Sequence, residues 1–124
     1  MADQRFEIRF AVQALKEYEG LDNSVVQIVD KKLEDLEKRA DEIGTVLKGN
    51  LSGYREIKLR DAGIRIIYQI TESTINILKI VYILAINKRT AEKVFKIAVQ
   101  RKNMDEVSIE KLTTWKKKNR KRKK

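Results

Sequence analysis

Phe6, Ile8 and Phe10 alternate with Glu7 and Arg9 near the start of the chain, the period-two pattern of a strand with one buried face. VQALKEYE follows as one or two helical turns ending before Gly20. Ser24 and Gln27 then stand in capping-box spacing, with Asp22 and Asn23 as competing caps. From there Val25, Val29, Leu33, Leu36, Ala40 and Ile43 recur at steps of three and four up to Gly44, which predicts a long amphipathic helix.

GTVLKGNLSG is aperiodic and glycine-bearing, so it reads as a surface connection from a helical half to a sheet half. Two strands are expected over Tyr54–Arg60 and Ile64–Ile70, joined by Asp61-Ala62-Gly63, with Gly63 available for a positive φ. A second turn around Glu72–Thr74 leads into TINILKIVYILAI, whose β-branched run suits a central strand buried on both faces. Ala91, Val94, Phe95 and Ala98 then return to helical spacing. The predicted order β, α, α, β, β, β, α makes an α+β fold: a four-stranded antiparallel or mixed sheet flanked by helices.

Strand alternation places Glu56, Lys58 and Arg60 on one face and Ile57 and Leu59 on the other, in the core. Arg65 and Gln69 are in phase with each other, opposite Ile64, Ile66, Tyr68 and Ile70. In the long strand Lys79 is in phase with Asn87 and Arg89, against Leu78, Ile80, Tyr82 and Leu84. With the apolar sets registered on one side, Glu56, Lys58, Arg60, Arg65, Gln69, Lys79 and Arg89 collect on the other. Two readings of that face stand: a solvated sheet surface, or a site that holds phosphate through arginine forks. Tyr54, Tyr68 and Tyr82 are expected to pack with their hydroxyls at the core edge. Asp30, Glu34, Glu37 and Asp41 recur along the long helix, but among interleaved Lys and Arg they read as a solvated, ion-paired face, and no metal is expected.

Composition sharpens this picture. At 124 residues one domain is the default, and 37% charged residues imply a heavily ionised surface. No run suits a bilayer and the N-terminus lacks an export pattern, so a cytoplasmic protein is expected. Cysteine and histidine are both absent, which removes thiolate chemistry, the usual general base and the usual metal ligand. Chemistry here must run on Lys, Arg, Glu, Asp or Tyr, with no cofactor expected. The net charge is +10, but the last nine residues, KKKNRKRKK, hold eight cations; without them the balance over Met1–Trp115 is +2. The tail is expected to be disordered and reads either as a polyanion-binding segment or as a solubilising one.

LKGNLSGYREIKLRDAGIRIIYQI, then ILAINKR and EKVF, resembles in ordered motifs the RelE/ParE superfamily of toxins from toxin–antitoxin modules, nearer RelE. The resemblance spans roughly Arg5 to Arg101, which suggests a RelE-like domain over 1–103 and a C-terminal extension over 104–124 ending in the basic tail. It implies a ribosome-dependent endoribonuclease that cleaves mRNA by attack of a 2′-hydroxyl on the adjacent phosphate, partnered by a cognate antitoxin. By position, Lys58 would sit beside the attacking hydroxyl, Arg65 would neutralise the phosphate, Arg89 would support the leaving group, and Arg60 would hold backbone. Glu56 stands where the family often has a lysine, and would act as general base or only pair with Arg65. Phe95 replaces a tyrosine and would stack on a base, and Lys79 completes the expected RNA-binding set. The alternative on the same fold is a ParE-like DNA gyrase inhibitor or a non-catalytic nucleic-acid-binding protein.

Overall fold

The computed structural model describes residues 4–72, 78–88, 91–104 and 112–115; the side chains of Ala91, Asn103 and Met104 are outside that description. Its elements are β1 (Phe6–Phe10), α1 (Val12–Glu19), α2 (Asn23–Arg39), β2 (Thr45–Val46), a 3-10 turn (Gly49–Leu51), β3 (Tyr54–Leu59), β4 (Ile64–Thr71), β5 (Lys79–Asn87), α3 (Ala91–Met104) and β6 (Thr113–Thr114). The sheet runs β2-β3-β4-β5-β1-β6. Pairing is antiparallel except for β1 with β5, which is parallel, so the sheet is mixed.

The four expected long strands are present as β1, β3, β4 and β5, and the two-residue β2 and β6 extend the sheet to six strands. Two residues carry too little pattern to announce themselves. Strand β5 is buried without interruption from Ile80 to Ile86, as its β-branched run requires. The capping box expected at Ser24 is not formed: α2 begins at Asn23, with Asp22 as N-cap and no side-chain cap bond. Of its expected stripe Val29, Leu33, Leu36 and Ala40 are buried, whereas Val25 and Ile43 are half-buried and the neighbouring Val26 takes the buried place at the helix start.

One face of the sheet packs against α2. Ile57 pairs with Ile66, Leu59 with Ile64 and Tyr68 with Ile83, and the Tyr68 hydroxyl reaches the carbonyls of Ala40 (2.9 Å) and Ile43 (2.8 Å) beyond the end of α2. Tyr68 is therefore inside the core and not at its edge. Gly44, with φ +85°, is required there, because a Cβ would stand 2.7 Å from that hydroxyl. The opposite face is covered in part by α3, which lies against β5, β4 and the 3-10 turn. Gly63, φ +65°, turns β3 into β4 as anticipated.

The acidic stripe of α2 is not uniformly solvated. Asp30 is 3% exposed and accepts the Tyr18 hydroxyl at 2.6 Å, while Asp41 pairs with Arg5 at the surface. Tyr18 in turn accepts the indole N–H of Trp115 at 3.1 Å, so one aspartate of the stripe belongs to the hydrogen-bonded core. Among the described residues no helix is long and apolar enough to cross a membrane.

Candidate active site

The hairpin β3–β4 places Lys58 directly opposite Arg65, and β5 adds Asn87 opposite Arg65 on its other side. Partners in a ladder share a face, so Lys58, Arg65 and Asn87 form one row across three strands. Lys58 is exposed and Arg65 half-buried. One step along the strands lies Glu56, diagonal to Arg65 and on the same face. Its carboxylate accepts a 2.7 Å hydrogen bond from Arg65 Nη1.

Pairing with Arg65 is one of the two roles expected for Glu56; its depth is the first departure from the expected surface. Glu56 is only 4% exposed, not a solvated member of a cationic face. A carboxylate at that depth is stable as an anion only with a charge-assisted partner, which Arg65 supplies. Since a guanidinium carries five N–H donors, the pairing leaves donors for a second anion, and Glu56 fixes where the fork stands. Arg60 follows β3 in the turn and is exposed, its carbonyl accepting from the N–H of Gly63. A recess of about 350 Å³ is lined by Lys32, Thr45, Glu56, Lys58 and Arg60. Lys32 projects from α2, and nothing in its helical sequence distinguishes it from neighbouring surface lysines.

Lys79 is not brought into this row. Between Ile67 and Tyr68 the β4–β5 register shifts: Ile67 faces Ala85, but Tyr68 faces Ile83, so Leu84 is an extra residue in β5. A bulge of one residue reverses which alternate positions share a face. Asn87 and Ala85 therefore share the face of Arg65, whereas Lys79 falls in phase with Val81 and Ile83 on the other. Lys79 also begins β5, eight residues from Asn87 and so about 26 Å along the strand.

Arg89 lies outside the described residues. It is bracketed by Asn87, beside Arg65, and by the start of α3 at Ala91. Phe95 is half-buried on α3 and lines, with Lys48, Leu51, Lys96 and Val99, a groove of about 700 Å³ between α3 and the 3-10 turn. Glu92, paired with Lys96 at 3.8 Å, lines the same groove, so its charge is mixed.

Glu17 of α1 is a residue the sequence did not single out. Its carboxylate accepts from the N–H of Ile86 (3.0 Å), the amide of Asn87 (2.7 Å) and both terminal nitrogens of Arg101 on α3 (2.8 Å each). It thereby joins α1, α3 and the end of β5 that adjoins the Lys58–Arg65 row. In a short helix such a glutamate looks like any surface acid, and its partners are 69 to 84 residues away in sequence.

No protein-family profile matches the chain. A putative RelE-like toxin protein of Escherichia coli is 31% identical over 97 residues, covering 78% of this chain and 97% of that protein. The mRNA interferase toxin RelE of Escherichia coli (strain K12) is 30% identical over 92 residues, covering 74% of this chain and 92% of that protein. The E. coli RelE fold superposes in its free state, as a double arginine-to-alanine variant, with a TM-score of 0.61 at 27% identity over 80% of this chain and 98% of that one. With an antitoxin RelBc peptide bound, the TM-score is 0.56 at 30% identity over 76% and 94%. The ordered motifs, the mixed sheet between helices and these likenesses agree: the chain belongs to the RelE/ParE superfamily of toxins, on its RelE side.

Proposed function

We propose that this chain is the toxin of a toxin–antitoxin pair, an endoribonuclease that acts on mRNA held by the ribosome and is restrained by a cognate antitoxin. The observation that carries the reading is the row of Lys58, Arg65 and Asn87 across three strands, with Glu56 holding Arg65 in place. In the reaction a 2′-hydroxyl oxygen attacks the adjacent phosphorus, its proton passing to solvent. The new O–P bond closes a cyclic phosphate as the bond to the 5′-oxygen breaks, and that oxygen leaves as a hydroxyl. Charge accumulates on the phosphoryl oxygens and on both the entering and the departing oxygen, where fixed cations stabilise the transition state without histidine.

Lys58, exposed on the row, stabilises the attacking oxygen; Arg65 neutralises the phosphate; Arg89 supports the departing oxygen. Arg60 holds backbone at the hairpin, and Phe95 offers a face on which a base stacks. Glu56 acts through Arg65 as a positioning residue, which its burial supports better than direct proton abstraction. Relatives of this kind are named mRNA interferases, and E. coli RelE has been captured with an antitoxin peptide, which supports both the reaction and the partner. On this reading the protein works in the cytoplasm, where ribosomes translate.

The test is cleavage of mRNA in a purified translation system. Wild-type chain should cut within the open reading frame. Lys58→Ala and Arg65→Ala should each lower the rate by about 10²-fold or more, the scale of losing one group that stabilises transition-state charge. Intact mRNA after incubation with folded wild-type chain and active ribosomes would remove the reading.

A further inference from the structure

We propose that Lys32 is a further RNA-binding residue of the site: it carries a cation from α2 to the recess beside Lys58 and there, with Arg60 and Thr45, holds the phosphate next to the one that Arg65 neutralises. The choice of RNA as ligand rests on the cleavage reading; the recess itself rests on separate observations.

The first is how α2 reaches the site at all, since it packs on the sheet face opposite to Lys58 and Arg65. Strand β2 pairs with β3 only at Arg55 and Glu56, so from Ile57 onward β3 has no strand on its outer side among the described residues. A side chain from α2 can meet the other face around that open edge. Lys32 does so, lining the same recess of about 350 Å³ as Lys58 and Arg60. Thr45 stands opposite Glu56 in the ladder, which puts its side chain on the face of Glu56 and Lys58.

The second is that the wall of the recess is fixed. The Tyr68 hydroxyl binds the carbonyls of Ala40 and Ile43, Arg55 donates to the Ile43 carbonyl at 3.3 Å, and Gly44 fits against Tyr68 only because it lacks a Cβ. The chain from α2 to Thr45 is thus held on β3 and β4 before any ligand arrives, which spares a binding event the cost of ordering it.

The third is charge. Lys32, Lys58 and Arg60 line the recess against one acid, Glu56, whose charge Arg65 already meets. The acidic neighbour of Lys32 is Asp35 at 3.5 Å, itself 43% exposed and also 3.8 Å from Arg39. Pairs that long and that wet hold a lysine weakly, so Asp35 does not keep the ammonium from a phosphate. Lys31 and Lys38 of the same helix are exposed, whereas the Lys32 side chain is 30% exposed, as suits a stem laid along protein with its head at the recess. Because Lys58 belongs to both the recess and the row, an anion held here adjoins the scissile phosphate, and RNA is the polyanion that carries its next charge one nucleotide away.

The experiment uses the full-length chain and follows mRNA cleavage in a purified translation system as the concentration of ribosome-bound message is varied. Lys32→Gln should raise KM about 10-fold, the scale of one charge-assisted contact, with kcat within about twofold of wild type. Lys32→Arg should recover most of the loss, and Lys31→Gln should behave as wild type. Binding is read separately by backbone amide shifts on adding a 2′-deoxy-substituted RNA trinucleotide, which cannot be cut. It should move the amides of Thr45, Ile57 and Lys58 in the wild-type chain and far less in Lys32→Gln. The basic run after Trp115 lies outside the described residues and stays intact in every variant, so its contribution cancels between them.

An unchanged KM in Lys32→Gln overturns the proposal. So does an equal rise in Lys31→Gln, which would mean general attraction, or a fall in kcat on the scale of Lys58→Ala. Hexaglutamate moving the same amides at lower concentration than the trinucleotide would overturn it too, assigning the recess to an acidic protein segment. The two readings fail separately. Cutting that persists with an unaltered KM in Lys32→Gln removes Lys32 and leaves the nuclease. Trinucleotide binding that depends on Lys32, in a wild-type chain that never cuts, removes the nuclease and leaves the RNA site.

Discussion

At Glu56 burial and charge meet in one side chain, and the outcome separates two chemical roles. A general base must reach the proton it takes, and losing one typically costs 10²–10⁴-fold. A carboxylate that is 4% exposed and spends an oxygen on Arg65 is better suited to holding a guanidinium than to taking a proton. Glu56→Gln keeps the shape and an acceptor oxygen but removes the charge. It should lower the cleavage rate by about 10-fold or less and leave the pH–rate profile with the same shape; a lost limb and a larger drop would make Glu56 the base. Tyr68 gives a second residue-scale expectation. Burial, partly offset by the charge of Arg55, pushes its hydroxyl up to about 12 from the ordinary value of 10. The folded value lies above the unfolded one, so this contribution to stability is fully present below pH 10 and is lost as pH rises from 10 towards 12. Tyr68→Phe should lower stability near neutrality by about 1 kcal/mol, through the lost bonds to Ala40 and Ile43, and should flatten the decline over that alkaline window in chemical denaturation.

Elements here are joined less by their own patterns than by side chains that reach between them. Glu17 binds α1 to the end of β5 and to α3 through donors on Ile86, Asn87 and Arg101, and its removal leaves Arg101 with the Leu84 carbonyl at 3.2 Å in place of a carboxylate. Glu17→Ala should therefore cost about 2 kcal/mol in urea unfolding, more than an exposed ion pair would. The bulge at Leu84 works at the same scale. It lets β5 give its C-terminal end to the Lys58–Arg65 row while its other end packs against β1. Strand propensity was readable over this whole segment, but alternation could not be, since every position from Ile80 to Ile86 is apolar and buried. A continuous hydrophobic run carries no phase, so counting along it puts Lys79 with Arg65 and only the register separates them.

For the whole molecule the arrangement of charge matters more than its total. The domain is nearly balanced, and its cationic site arises because β3 and β4 segregate Lys58 and Arg65 onto one face. The C-terminal stretch belongs to the same body through Leu112, β6 and Trp115. Trp115→Ala should cost about 3 kcal/mol or more, as for a large aromatic removed from a core, and lower the melting temperature accordingly. A variant with unchanged stability would show that this stretch is only laid against the fold.

The sequence by itself determined the α+β class, the long helix with most of its buried stripe, the β3–β4 hairpin with Lys58 and Arg65 on one face, and the lack of histidine and cysteine, which leaves Lys, Arg, Glu, Asp or Tyr for any chemistry. These follow from local periodicity, turn chemistry and composition, which a linear chain displays directly. Tertiary structure alone decided that Glu56 is buried against Arg65, that a bulge turns Lys79 away, that Glu17 gathers three distant donors, and that Trp115 is buried beside β1. Each of those depends on which long-range neighbours remove a group from water or share a ladder with it, and residues tens of positions apart leave no trace of that meeting in either sequence segment alone.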